Sequence, residues 1–280
     1  MSSATNFIAA LLVAAAACCA AEPLRVCSDP NNLPYSNEQR QGFENKIAEL
    51  IGQDLGREVV YTWYPQRSKF FKATLNSGVC DVVIGVPAGF EEASSTQPYY
   101  RSTYVFVSRA DRKLQISSLD DPRLRTLKIG VHVLGDEKDA LPPVQALINR
   151  GIVTNLVGVS IFGHLEETDP AADVLRAVEN GTVDLAIAWG PLAGYFARTS
   201  RVPLEVTPIP GDAENPGLPL HFDIGMGVRA SDTALKATLD RELVRRQAEI
   251  QEILREYGVP QLPLVPATAA PVWAKSGGQG

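Results

Sequence analysis

The chain has 280 residues, with 26 lysines and arginines against 32 aspartates and glutamates, and a formal net charge of −6 at pH 7. That length gives room for two modest domains or one large one, and 45% hydrophobic with 21% charged residues is an ordinary balance for a soluble globular protein. An acidic chain without a basic cluster excludes nucleic acid and an anionic membrane surface as natural partners.

Residues Phe7 to Ala21 are almost wholly apolar and close on Cys19-Ala20-Ala21 before Glu22-Pro23. This reads as a signal peptide over 1–21, cleaved after Ala20 or Ala21, and hence as export to the periplasm. No Lys or Arg precedes the apolar run, which departs from the usual pattern. At about fifteen residues the run falls short of the roughly twenty that span a bilayer, so no stable membrane insertion is expected. A lipoprotein signal at Cys18 is the weaker alternative, because Ala15 stands where such signals carry Leu.

Leu24-Arg25-Val26-Cys27 reads as a short strand running into Asp29-Pro30-Asn31-Asn32-Leu33-Pro34-Tyr35-Ser36, a loop dense in turn formers. Phe43, Ile47, Leu50, Ile51 and Leu55 recur at helical spacing, and Gly56 stops that helix. Val59 to Trp63 is the next strand, and Ser68 to Asn76 a helix closed by Ser77-Gly78. Asp81 to Val86 is a continuous β-branched run that fits a buried parallel strand. Strand, helix, strand, helix, strand makes a parallel sheet. With the signal removed, Cys27 and Cys80 remain, an even pair in an exported chain, and a disulfide between neighbouring strands is expected. Closing a loop of about fifty residues stabilises by about 4 kcal/mol in the chain-entropy account. The chain has no Cys-x-x-Cys, so a structural role is favoured over a redox one.

After a polar loop, Gln97-Pro98-Tyr99-Tyr100-Arg101-Ser102 leads to an outgoing strand, Tyr104 to Val107. The charged stretch 110–125 reads as containing a short helix, and Leu127 to His132 as the first strand of a second unit. Val133-Leu134-Gly135-Asp136 turns towards a helix N-terminus, where backbone N–H groups can hold an anion. Pro142-Pro143 opens a helix over Val144 to Arg150, followed by a strand-like run from Ile152 to Val159 and a helix from Ala171 to Glu179. Val183 to Trp189 repeats the pattern of 79–86, so two lobes built alike are expected, and Leu192 to Arg198 follows as a helix. Pro203 to Leu220 reads as irregular and proline-rich, and His221 to Arg229 as a returning strand. Its Gly225 and Gly227 mark close backbone approach, since no third glycine completes a dinucleotide fingerprint. Asp232 to Tyr257 is an amphipathic helix or helix pair, and the Pro-, Ala- and Gly-rich end reads as mobile.

Catalytic readings fail early. His132, His164 and His221 are scattered, and no Gly-x-Ser-x-Gly elbow occurs. His164-Leu165-Glu166-Glu167 and His221-Phe222-Asp223 lack the spacing of a metal site, and Asp136 to Asp139 lacks that of a calcium loop. No catalytic residue, metal or cofactor is assigned.

"LRVC-DPNNLPYS", the Gly42-Phe43-Glu44 helix start and "LNSGVCDVVIGV" resemble the opening third of the periplasmic solute-binding proteins of type II, family 3-like. Further motifs narrow this: Pro30 to Pro34, Thr62-Trp63-Tyr64-Pro65-Gln66-Arg67, Cys80 to Pro87, and Ala188-Trp189-Gly190-Pro191-Leu192-Ala193-Gly194-Tyr195. Together they are similar to the quinoprotein-dehydrogenase-associated subgroup of MoxJ/XoxJ type. The resemblance covers roughly 24–260. It implies an α/β fold of two lobes, each a mostly parallel sheet flanked by helices, joined by two hinge strands. Lobe one would comprise 22–107 and 227–262, lobe two 108–226, and a flexible tail 263–280.

In such folds ligands bind outside the carboxyl ends of the strands. Here those ends present Asp29, Asn31, Asn32, Tyr35, Arg67, Pro87 and Gly89 from one lobe. His132, Gly135, Trp189 and Gly190 face them from the other. Tyr35 and Trp189 fit lobe packing as well as ligand contact, and Arg67 fits a surface ion pair. Relatives that bind free amino acids carry an Arg clamp in the loop after the third strand and an Asp in lobe two. Residues 87–95 contain no Arg, and Trp189-Gly190 stands in the second position. The expected function is therefore an accessory factor of a PQQ-dependent methanol or alcohol dehydrogenase and its cytochrome, with a protein segment or cofactor in the cleft. The alternative is a transport receptor for a small non-amino-acid solute.

Overall fold

Leu24, Val26, Ile47, Val82 and Ile84 alternate or recur along separate segments, yet all are buried to 1% exposure or less. The computed structural model shows why; it describes residues 21–133, 141–161 and 170–264. The signal peptide, Gly135, the Asp136 and His164 clusters and most of the tail lie outside the described residues.

In chain order the first lobe runs β1 (Leu24–Ser28), a small hairpin of β2 (Asn31–Asn32) and β3 (Ser36–Asn37), α1 (Phe43–Asp54), β4 (Val59–Trp63), α2 (Phe70–Ala73), β5 (Val82–Pro87) and β6 (Ser94–Ser95). β7 (Tyr100–Arg109) leaves it. The second lobe carries β8 (Ile129–Val133), α3 (Pro142–Asn149), β9 (Leu156–Ser160), α4 (Asp173–Glu179), β10 (Leu185–Trp189), α5 (Gly190–Thr199) and β11 (Leu204–Pro208). β12 (His221–Val228) returns, and α6 (Thr233–Arg245) and α7 (Gln247–Glu256) pack on α1.

The strand order is β4-β1-β5-β12-β7-β10-β8-β9, with β6 on β12 and β11 on β7. β1 pairs in parallel with both β4 and β5, and β8 with β9 and β10. Two sheets joined only by crossing strands are what the sequence leads one to expect. Hydrogen bonding instead runs unbroken through β7, because its ten residues serve both sides. Tyr100 to Thr103 pair with β12, whereas Tyr104 to Ser108 pair with β10. Two lobes persist because their cores are separate. Phe43, Ile84, Tyr99 and Leu239 belong to one, and Phe106, Ile129, Leu147 and Ile187 to the other.

Cys27 and Cys80 are bridged with Cα atoms 5.5 Å apart, Cys80 lying just before β5 and beside β1. Gly225 lies against Thr96 too closely for a side chain, as the strand glycines led us to expect.

Three expected elements differ. The helix over 68–76 shrinks to Phe70–Ala73, since the Thr74 and Ser77 hydroxyls donate to the carbonyls of Phe70 and Ala73 and close a turn instead. The charged stretch 110–125 forms two 3-10 turns, Ala110–Arg112 and Pro122–Arg125. The irregular stretch 203–220 contains β11, whose Leu204 and Val206 face the core while Pro203 and Pro208 sit at the strand ends, where a missing N–H is tolerated. At the chain's end Pro260 accepts a hydrogen bond from Ser102 Oγ at 2.6 Å and Leu262 N–H donates to the Arg101 carbonyl at 2.9 Å, so 260–262 dock on β7.

Candidate functional site in the interlobe cleft

Parallel strands deliver their carboxyl ends to one edge, and there a cleft of about 500 Å³ opens between the lobes. Asp29, just past β1, ties its floor together. Its Oδ1 accepts from the Asn31 N–H at 2.8 Å and its Oδ2 from the Gln66 N–H at 2.5 Å. Asn32 Nδ2 donates to Gln66 Oε1 at 3.2 Å, joining the same two loops. Tyr35 lies 5.3 Å from the Phe43 ring and Tyr100 lies 6.3 Å from it, so the base of the cleft is aromatic.

The first turn of α1 adds Glu44 to that base. A Cβ on Gly85 would stand 2.1 Å from Glu44 Oε1, so the carboxyl rests over bare β5 backbone. Among the described residues it has no hydrogen-bond or ion-pair partner, and its accessible part lines the cleft. Loss of solvation, then the nearby Asp29 charge, pushes its pKa up to about 8. Burial likewise holds the Tyr35 and Tyr100 phenols above their ordinary range.

The opposite wall is built where the chain crosses. Trp189, at the end of β10, meets Tyr104 edge-on at 5.3 Å and Phe222 at 5.5 Å. Trp189 and Phe222 pack against both cores, so lobe packing and cleft lining are one role here. His132, buried at the end of β8, donates from Nε2 to the Ala171 carbonyl at 2.9 Å, and burial lowers its pKa. It is therefore neutral near pH 7.

The cleft thus brings together Asp29, Asn31, Asn32, Tyr35, Arg67 and Pro87 from lobe one with His132 and Trp189 from lobe two. Two expected positions stand apart from the lining. Gly89 sits in a turn at φ +80°, and Gly190 opens α5 against β7, where a Cβ would lie 2.5 Å from the Thr103 carbonyl oxygen. Sequence reading missed Glu44, Tyr100, Tyr104 and Phe222. Only Glu44 left a usable trace, the glutamate of Gly42-Phe43-Glu44 soon after the turn-rich loop that follows β1. Among the described residues no group of three or more His, Cys, Asp or Glu could hold a metal, and no helix is long and apolar enough to cross a membrane.

Two lobes crossed by β7 and β12, with a cleft at the strand ends, define a binding protein. Residues 24–260 match the bacterial extracellular solute-binding proteins, family 3, and the chain belongs to that family. It is 34% identical over 264 residues to protein MoxJ of Methylorubrum extorquens, covering 88% of this chain and 85% of that one. The crystal structure of periplasmic binding protein XoxJ from Methylobacterium extorquens AM1 superposes with a TM-score of 0.71 at 35% identity, covering 86% of this chain and all of that one (100%). MxaJ from Methlophaga aminisulfidivorans MPT gives a TM-score of 0.74 at 27% identity, with 85% and 100% covered.

Proposed function

We propose that this chain is an exported, periplasmic accessory factor of a PQQ-dependent methanol or alcohol dehydrogenase, acting with that enzyme and its cytochrome, and not itself an enzyme. Its similarity to MoxJ and XoxJ over most of its length supports the context. One observation carries the cleft's part in it: Asp29 and Glu44 stand at the base, and residues 87–95 offer no arginine for a ligand carboxylate. A micromolar amino acid needs about 8 kcal/mol of net binding free energy. Arg67 lines the cleft from an exposed loop and not from 87–95, so the desolvation of a buried carboxylate, several kcal/mol, is left largely uncompensated. The occupant is then a segment of the partner protein, received between the lobes at Asn31, Asn32, Arg67 and Trp189. The lobes are taken as 22–107 with 227–262 and as 108–226, β7 and β12 crossing between them.

Two measurements test this. Capture with the purified dehydrogenase should succeed, and calorimetry against the twenty amino acids should find no micromolar ligand. Tight amino-acid binding without dehydrogenase capture would return the chain to the transport receptors. A receptor for a small non-amino-acid solute is the second reading, favoured by the cleft's volume, which lies in the range that holds small molecules. Amino-terminal sequencing of periplasmic protein should start at Ala21 or Glu22.

A further inference from the structure

The base and wall of the cleft together specify the charge and shape of what enters. Glu44 presents a carboxyl that nothing among the described residues neutralises. It rests on the bare backbone of Gly85, where a Cβ would stand 2.1 Å from its Oε1. Tyr35 and Tyr100 flank it from lobe one, and Tyr104, Trp189 and Phe222 stand across the cleft. Arg67, from the loop between β4 and α2, is the only permanent cation among the described lining residues. A carboxyl set among aromatic rings is an arrangement that holds an organic cation, the carboxyl meeting the charge and the rings covering its carbon body.

We propose that the cleft recognises a primary alkylammonium group, its carbon chain between the aromatic walls and its nitrogen on Glu44, and that the group is a lysine side chain of the partner segment. The source of the lysine rests on the accessory function proposed above; the ammonium site itself stands on the cleft alone. Near pH 7 the empty cleft holds Glu44 protonated. An entering ammonium ion keeps its own protons and expels that one, so a carboxylic acid and a cation become an ion pair plus a released proton. The other groups facing Glu44 do not take the proton up. Asp29 adds negative charge, the phenols of Tyr35, Tyr99 and Tyr100 are raised by burial, Tyr61 is pushed up to about 12, and His132 is held neutral across the cleft.

Calorimetry on the mature chain tests this with n-butylammonium chloride and acetyl-Gly-Lys-Gly-amide, against n-butanol and acetyl-Gly-Gln-Gly-amide. Both cations should bind more tightly than their neutral counterparts. Comparison of two buffers at pH 7 should show protons released as each cation binds, and affinity should increase as pH is raised towards about 8. Glu44→Gln should weaken both cations about 30-fold or more and abolish proton release. Gly85→Ala, which drives a methyl group into the carboxyl, should weaken them too, with the melting transition of each variant recorded beside it. Equal binding to Glu44→Gln, or binding without proton release, overturns the proposal, and a lysine peptide no tighter than its glutamine counterpart overturns the lysine source. Dehydrogenase capture run in parallel separates the two readings. Glu44-dependent butylammonium binding without capture removes the accessory function and leaves the site. Capture indifferent to Glu44→Gln removes the lysine contact and leaves the accessory function.

Discussion

Arg101 and Asp223 face each other on β7 and β12 where the chain crosses between lobes, and replacing Asp223 by asparagine isolates what that pair contributes. Arg101 Nε and Nη2 each donate to a separate Asp223 oxygen at 2.6 Å, and the two side chains are only 9% and 11% exposed. The Asp223→Asn amide would keep the shape and most of the packing but leave the guanidinium buried without its counter-charge. Such half-broken buried pairs cost about 3–5 kcal/mol. At about 2–4 °C per kcal/mol for a chain of this size, the melting transition should fall by roughly 6–20 °C. Urea titration followed by far-ultraviolet circular dichroism measures the loss directly. The double variant Arg101→Met with Asp223→Leu removes both charges and should recover to within about 2 kcal/mol of the parent. A loss below about 1 kcal/mol for Asp223→Asn alone would show that water reaches the pair, and the reasoning from burial would be wrong.

Reduction of Cys27–Cys80 should cost about 4 kcal/mol, and a chain beginning at Glu22 should show no thiol on unfolding before reduction and two after it. Asp212, fully buried on Arg150 at 2.7 Å, has its carboxyl pulled down to about 2 by that guanidinium. A depressed folded pKa stabilises above the unfolded carboxylate range, so this contribution should vanish as pH falls from about 4 to about 2. Asp212→Asn should lose that acid sensitivity and about 1–3 kcal/mol at neutral pH, since Arg150 keeps Asp120 at 2.8 Å; an unchanged dependence of the urea midpoint on pH would contradict it. Glu44 has the opposite sign, its folded pKa lying near 8 against an ordinary 4.5. The empty parent therefore loses stability as pH rises across that interval, and Glu44→Gln should be more stable by about 1–2 kcal/mol at pH 7, allowing for the water in the cleft. A variant that melts below the parent at pH 8 would refute it.

Local signals in the sequence were sufficient for most elements that depend on local repetition, the expected helix over 68–76, reduced to Phe70–Ala73, being the exception. The helical spacing of Phe43, Ile47 and Ile51 and the β-branched run Val82 to Ile84 report burial directly, because a side chain's face follows from its position in a regular element. The two cysteines were legible as a pair because export leaves few other uses for them. The position of Asp29, Asn31 and Tyr35 at the cleft was legible because strand ends converge wherever a parallel sheet forms. Elements without periodicity were not: β11 holds its place by pairing with β7 over Leu204 to Pro208, a partner nearly a hundred residues away in sequence (Val206 opposite Val107).

Only the tertiary structure decided the character of the cleft. Tyr104 and Phe222 read as ordinary strand residues, and their ring contacts with Trp189 exist because β7, β10 and β12 meet at the crossing. In the sequence Glu44 stood only as part of the Gly42-Phe43-Glu44 helix start. The fold sets it over Gly85 near the phenols of Tyr35, Tyr99 and Tyr100, and a carboxyl that has lost much of its water changes its charge without any change in its chemistry. Sequence spacing carries which face a residue takes; the dielectric around it is a property of everything the remaining chain packs there.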